Sequence, residues 1–195
     1  MKEYVASGQI KPGQALDIGS GKGRNSIYLA KLGYKVVGVE IVTEAIAAAY
    51  QIAVQSGVAD KIRFIEQSAG APLPVADASF DLIIDMMVMH LLDAQELALY
   101  ATEVVRLLKP GGYLVFYTIA AESPAVQALF QSSPGPEPNS YVIPQSGVVE
   151  KAFTAAELAV MFTPLRVIRL EPNIEFTPAF GDVYERTYYA GLLQK

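Results

Sequence analysis

The chain has no cysteine, no tryptophan and a single histidine, His90. Without cysteine there is no disulfide framework, no thiolate metal site and no cysteine nucleophile. No metal centre is expected. Long apolar runs are missing too. Hydrophobic residues make up 52% of the 195 and mean hydropathy is positive, yet no stretch of 18 apolar residues occurs. That argues against a transmembrane helix and a membrane partner. The opening Met1-Lys2-Glu3-Tyr4-Val5 lacks the apolar core of a secretory signal, so the default compartment is cytoplasmic. Basic charge is also sparse. There are 15 Lys and Arg against 20 Asp and Glu, a net charge of −5, and no two basic residues are adjacent. A nucleic-acid binder shows a basic patch or stripe, so no nucleic-acid partner is expected.

What is present begins at Ala15-Leu16-Asp17-Ile18-Gly19-Ser20-Gly21-Lys22-Gly23-Arg24-Asn25. An apolar strand runs into a turn with three alternate glycines and then into a helix start. The helix, read over 25–32, stops at Gly33. A second strand, 35–40, closes on an acid, Glu40. A helix N-terminus presents free N–H groups and the positive end of the helix dipole. A carboxylate at the end of the second strand is placed to take a pair of ribose hydroxyls. The segment therefore reads as half of a nucleotide-binding fold.

The rest of the chain continues the alternation. Thr43 is expected to cap a helix to Ser56, with Gly57 beyond its end. Strands are read at 61–66, 80–85 and 113–119. Asp93 and Glu96 form a capping-box pattern ahead of a helix with Leu97, Ala101, Val104 and Leu108 on one face. Nearly continuous apolar strands separated by helices imply a parallel sheet covered on both faces. The segment 131–147, with four prolines and two glycines, reads as a surface loop or lid. Thr154 and Glu157 repeat the capping pattern. Two final strands, 165–170 and 183–193, have no helical pattern between them and are expected to pair antiparallel. The fold class is α/β: a Rossmann-like, mostly parallel seven-stranded sheet with helices on both faces and a C-terminal antiparallel hairpin, in one domain over 1–195.

With these motifs the chain resembles the class I S-adenosylmethionine-dependent methyltransferases over about residues 10 to 194. The family's acid-x-Gly-x-Gly-x-Gly motif matches Asp17, Gly19, Gly21 and Gly23, and its ribose-binding acid matches Glu40. Leu73-Pro74, Ser79-Phe80-Asp81 and Leu107-Leu108-Lys109-Pro110-Gly111-Gly112 are similar to later family segments. Gly23-Arg24-Asn25-Ser26, Tyr28-Leu29 and Leu32-Gly33-Tyr34 look most like the tellurite-resistance and thiopurine-type branch. The resemblance implies S-adenosylmethionine as methyl donor and S-adenosylhomocysteine as product. It implies a binding site built from Asp17, Gly19, Ser20, Gly21, Asn25, Glu40, Ile41, Ser68, Ala69, Asp85 and Met86.

The residues favour this reading over a dinucleotide enzyme. The dinucleotide fingerprint spaces its glycines G-x-G-x-x-G around a pyrophosphate. Here the third glycine comes one residue earlier, and Asp17 would repel a pyrophosphate but suits a cationic sulfonium and ammonium. One departure stands out: the acid that many family members use for the adenine amino group is absent near Ser68-Ala69-Gly70. An S-adenosylmethionine-binding module without catalysis and an NAD-dependent oxidoreductase are the competing readings.

The acceptor half is less explicit. Asp85 stands at the carboxyl end of the fourth strand, where open α/β sheets place ligands. His90 follows it and is the best base candidate. Both are candidate catalytic residues, against a helix or loop cap for Asp85 and a hydrogen-bonded structural role, the favoured one, for His90. Met86, Met87 and Met89 read as core filling ahead of an acceptor pocket wall, and Tyr117 and Tyr141 are candidate acceptor contacts. Phe176, Phe180, Tyr184, Tyr188 and Tyr189 read as sheet surface rather than as an aromatic cage. The Asn-Pro-Pro-Tyr type element of amino-methylating nucleic-acid enzymes is absent, and zero cysteine argues against cysteine-based base methylation and arsenite methylation. A small-molecule acceptor is expected, transferred to by in-line displacement. A homodimer is the candidate assembly.

Overall fold

A computed structural model describes residues 1–179 and 182–195. Its described side chains exclude those of Lys2 and of 177–184. The expectations for Phe180 and for the Tyr184 side chain therefore lie outside the described residues.

In chain order the elements are α1 (Lys2–Ala6), β1 (Gln14–Ile18), α2 (Arg24–Lys31), β2 (Lys35–Glu40), α3 (Thr43–Gln55), β3 (Ile62–Glu66) and β4 (Phe80–Met86). Then follow α4 (Ala94–Leu107), β5 (Leu108–Ile119), α5 (Pro124–Ser132), β6 (Ser140–Val142), β7 (Val149–Lys151), α6 (Ala155–Met161), β8 (Arg166–Ala179) and β9 (Asp182–Gln194). Short 3-10 turns occupy Ala59–Lys61 and Met89–Leu91.

Seven strands form one sheet in the order β3-β2-β1-β4-β5-β9-β8. The first five are parallel, and β9 and β8 run antiparallel to β5 and to each other. This is the expected architecture. The chain moves outward from β1 to β3, then returns to place β4 on the other side of β1. Such a reversal opens a crevice outside the carboxyl ends of the strands.

Alternation along the buried strands divides the core. Ala15, Leu82, Ile84 and Val115 face α1, α2 and α3, packing with Tyr4, Ile27, Leu29 and Ala53. Leu16, Ile83, Leu114 and Phe116 face α4 and α6, packing with Leu97, Tyr100, Val104 and Leu158. Helices therefore cover both faces. Both capping boxes form: Asp93 accepts from the Glu96 N–H, Thr154 accepts from the Glu157 N–H, and each glutamate reaches back to its cap.

Some boundaries differ from expectation. Thr43 is the first helical residue of α3, and Val42 is the cap, without a side-chain bond. Leu108 opens β5 instead of closing α4. The sequence Lys109-Pro110-Gly111-Gly112 is absorbed as an irregularity, because Phe80 pairs with Leu108 while Leu82 pairs with Tyr113. Helix α5 was not anticipated, although Ser123 ahead of Pro124 is a recognisable helix start. The 131–147 segment is more ordered than a loop. It contains β6, which pairs with β7, and its Tyr141 is buried.

Candidate functional site

The strand ends bring the expected residues to one rim. Ile18 of β1 lies between Val39 of β2 and Asp85 of β4. Beyond β3, Gln67 donates its N–H to the Glu40 carbonyl at 2.9 Å, which draws the Ser68-Ala69 segment to the same edge. Asn25 stands in the first turn of α2, half-buried.

Glu40 organises the rim. Its Oε2 accepts the Gly21 N–H at 2.9 Å. Its Oε1 accepts the N–H groups of Ile41 and Val42 at 2.9 and 3.0 Å. A carboxylate has about four lone-pair positions, so acceptor capacity remains on Oε2. Ile41 and Val42 beside it are exposed, at 65% and 47%. An apolar side chain held in water thus lies next to a half-buried acid with spare acceptor capacity.

Two glycines of the loop serve different ends. Gly19 has φ +63, and any side chain on it would run into Val88. Gly21 has φ +52 and nothing within 4 Å of a built Cβ. Packing therefore requires Gly19, whereas Gly21 leaves its face open. Gly19→Ala is expected to push Val88 and the turn after β4 away from the loop and to lower thermal stability. Calorimetric melting would show it, and an unchanged midpoint would refute the contact.

Asp17 lies beneath the loop, 1% exposed. Its Oδ2 accepts the Ser26 hydroxyl at 2.6 Å, and its Oδ1 has no partner. Burial pushes its carboxyl up to about 7, opposed by hydrogen bonds from the Ser26 hydroxyl and backbone, with a lesser upward push from the Asp85 charge. The Ser20 hydroxyl is buried and likewise unpartnered. Two buried polar atoms thus lie under the glycine loop without a partner among the described residues.

Asp85 is different. It is fully buried, Oδ1 accepts the Val88 N–H at 2.9 Å, and Oδ2 accepts the Met89 N–H at 3.1 Å and the Tyr100 hydroxyl at 2.7 Å. Burial raises its carboxyl to about 6. The side chain points to α4 and fastens the turn that follows β4. Met86, half-buried, packs toward the opposite core, and Met87 carries φ +72. A non-glycine residue held there stores strain at a strand end, a common companion of ligand sites. Ser68 is half-buried, its hydroxyl accepting the Gly70 N–H at 3.2 Å, and Ala69 packs on the core. His90 sits in the 3-10 turn, 5% exposed, with Nε2 3.7 Å from Glu150 Oε1. Sequence reasoning missed Glu150, which lies on β7, 60 residues away in the chain from His90.

The methyltransferase domain family matches residues 16–116, which span β1 through most of β5. The chain belongs to this methyltransferase domain family. Among sequence relatives, an arsenite methyltransferase of Aquipseudomonas alcaligenes is 36% identical over 135 residues, covering 61% of this chain and 38% of that protein. A ubiquinone biosynthesis O-methyltransferase of Paracidovorax citrulli is 34% identical over 107 residues, covering 54% and 43%. The chain thus spans about two fifths of these relatives. A SAM-dependent methyltransferase from Methanosarcina mazei superposes with TM-score 0.80 at 26% identity, over 93% of this chain and 92% of that one. TehB from Haemophilus influenzae shares the fold, with TM-score 0.75 at 20% identity, over 100% and 62%.

The rim of this chain fits a sulfonium nucleoside better than a phosphate ligand. Its buried unpartnered polar atoms, Asp17 Oδ1 and Ser20 Oγ, include a carboxylate oxygen. An anionic phosphate at that place would face the acid, whereas an ammonium or sulfonium would be drawn to it. Among the described residues no group of three or more His, Cys, Asp or Glu is arranged to hold a metal, and no helix is long and apolar enough to cross a membrane.

Proposed function

We propose that the protein transfers the methyl group of S-adenosylmethionine to a small-molecule acceptor by in-line displacement. The observation that carries the reading is the Glu40 clamp. One half-buried carboxylate fixes Gly21, Ile41 and Val42, keeps acceptor capacity, and stands between an open glycine and exposed apolar side chains.

Within this reading Glu40 takes the ribose hydroxyls and Ile41 lies on the adenine. Ser68 and Ala69 run along the adenine edge. Asp17, Gly19, Ser20, Gly21 and Asn25 hold the methionine end, and Met86 flanks the sulfur. The bound donor supplies an activated methyl group. The chain's residues supply proximity and alignment, which for such a displacement is most of the task. Asp85 is assigned to holding the turn, since its oxygens are engaged within the protein. Scattered basic residues support a small acceptor over a nucleic acid. A single domain, a cytoplasmic location and a homodimer complete the proposal. Sedimentation analysis tests the last.

Calorimetry with S-adenosylhomocysteine tests the assignment. Wild type is expected to bind it, and Glu40→Ala to weaken binding at least tenfold by removing ribose contacts and loosening the loop. Stabilisation by NAD without any by S-adenosylhomocysteine would turn the assignment toward an oxidoreductase. No binding at millimolar S-adenosylhomocysteine would sink it.

A further inference from the structure

The β8–β9 hairpin outlasts the strand it leans on. Strand β5 ends at Ile119, opposite Tyr188, whereas β8 and β9 go on pairing from Asn173 and Tyr188 outward. Two helical and turn segments pack beside this overhang. Helix α5 lies against β9. Its Val126 and Phe130 belong to a cluster with Tyr141 and Tyr188. The turn between β6 and β7 closes the third side, fastened by the Ile143 N–H to the Val148 carbonyl at 2.8 Å. Between the three lies a cleft of about 230 Å³. Ala125, Ala128 and Leu129 of α5 line it, with Pro144 and Gln145 of the turn and Arg186 of β9.

Arg186 is half-buried, and among the described residues its guanidinium makes no hydrogen bond and no ion pair. The acids around it are spent elsewhere or turned away. Glu175 is its cross-strand partner, yet Glu175 Oε1 accepts the Tyr117 hydroxyl at 2.6 Å and the Asn173 amide at 3.1 Å. Glu185 is its chain neighbour and points to the opposite face of the hairpin, since strand side chains alternate. The Ser132 hydroxyl, also on the wall, is given to the Ala128 carbonyl at 2.9 Å. A cation partly withdrawn from water without a counter-charge is costly, and an anion in the cleft removes that cost. The rest of the wall says what kind of anion. It carries one cation, and beyond that chiefly Ala, Leu and Pro side chains. A phosphate would bring two charges and no apolar body. A carboxylate matches a guanidinium through two parallel N–H bonds, and its apolar remainder can lie on α5. The volume is below the roughly 300–1,000 Å³ that holds a drug-sized ligand, so the body is a single ring or a short branched chain.

We propose that this cleft is a second binding site, for a small organic monocarboxylate whose carboxylate pairs with Arg186 and whose apolar body rests on Ala125, Ala128 and Leu129. The site shares no residue with the Glu40 rim and does not depend on the methyl-transfer reading. The bound molecule ties α5, the β6–β7 turn and the β8–β9 overhang together. Leu129 also packs into the cluster that includes Met87 and Tyr117, so one side chain separates the ligand from the residues at the ends of β4 and β5.

Benzoate is the probe, with benzamide as its uncharged counterpart and inorganic phosphate as an anion without an apolar body. Each is titrated into the full chain at pH 7 and followed by ligand-observed NMR and calorimetry. Benzoate is expected to bind saturably, at least tenfold tighter than benzamide or phosphate. Arg186→Gln should weaken benzoate at least tenfold and leave benzamide unchanged. Arg186→Lys should restore only part of the loss, because an ammonium keeps the charge without the planar fork. Ala128→Leu fills the cleft from an exposed helix position and removes no charge, and it should weaken benzoate at least tenfold as well. Melting midpoints report whether each variant folds, and Ala128→Leu carries the test if Arg186→Gln does not. Glu40→Ala should leave benzoate affinity within twofold of wild type. No saturable benzoate binding to wild type, equal binding of benzamide or phosphate, or unchanged affinity in Ala128→Leu or in folded Arg186→Gln overturns the proposal. Loss of benzoate binding in Glu40→Ala overturns it too, by moving the molecule to the rim. Absence of S-adenosylhomocysteine binding to wild type overturns the methyl-transfer reading and leaves this site standing.

Discussion

Ligand-free protein is expected to melt at lower temperature as pH rises from about 5 to 8, and Asp17→Asn to remove most of that loss. The carboxyl of Asp17 is raised from 3.8 to about 7, chiefly by burial. The folded chain therefore holds this proton more tightly than the unfolded chain does. Its stabilising contribution is complete below about pH 4 and is lost as pH climbs through 7. At about 1.4 kcal/mol per unit of pKa, the full loss is on the order of 4 kcal/mol. For a chain of this length that is roughly 10 °C in midpoint. Asparagine cannot ionise, yet it keeps an oxygen for the Ser26 hydroxyl. Its amide would take the place of the unpartnered Oδ1, at a cost of about 1–3 kcal/mol. The variant should therefore start lower at pH 5 and be flat above about pH 6. The slope remaining below pH 6 belongs to Asp85, which is raised to about 6. Scanning calorimetry across pH gives the answer, and equal slopes for wild type and variant would refute it.

The same proton links stability to the donor. An ammonium beside the loop gains most from Asp17 in its ionised form. Affinity for S-adenosylhomocysteine should rise from pH 6 to 8 in wild type and be weaker and flat in Asp17→Asn. Methylthioadenosine, which lacks the amino-acid part, should show no such rise. A pH-independent S-adenosylhomocysteine affinity would separate Asp17 from the methionine end.

The Glu40 rim was legible because its signals are local. Three glycines, the strand before them and Glu40 lie within 26 residues, and β1 and β2 occupy the expected positions. Local spacing could not assign the glycines, however. That a side chain on Gly19 would meet Val88, while Gly21 is held to glycine by its backbone conformation alone, depends on a contact 69 residues away. The surroundings of His90 are assembled from distant pieces. Each of β6 and β7 is three residues long, below what periodicity can detect, and they are held by bonds such as Ala152 N–H to the Asn139 carbonyl at 2.8 Å. Glu150 therefore carried no signal as a partner of His90. Asp85 was ambiguous for another reason. A parallel strand buried on both faces is apolar throughout, so alternation does not say toward which layer an acid points.

That ambiguity gives the second large effect: Asp85→Ala is expected to cost about 3–5 kcal/mol, the range for removing one partner from a buried charged network. Three donors lose their acceptor together: the N–H groups of Val88 and Met89 and the Tyr100 hydroxyl. The turn they secure carries His90 and sets Val88 against Gly19. Tyr100→Phe removes one of the three bonds and should cost less, about 1–3 kcal/mol. Because both changes strike one network, the double variant should lose less than the sum of the two. Denaturant unfolding measures all three. A positioning duty and a catalytic duty for Asp85 diverge in Tyr100→Phe. If Asp85 only fastens the turn, that variant keeps S-adenosylhomocysteine affinity near wild type while its unfolding midpoint falls. If the carboxylate reaches the ligand, removing the Tyr100 hydroxyl from Oδ2 changes affinity more than stability. The hydrogen bonds favour the first outcome, since all three donors to Asp85 come from the protein itself and its side chain is closed to solvent.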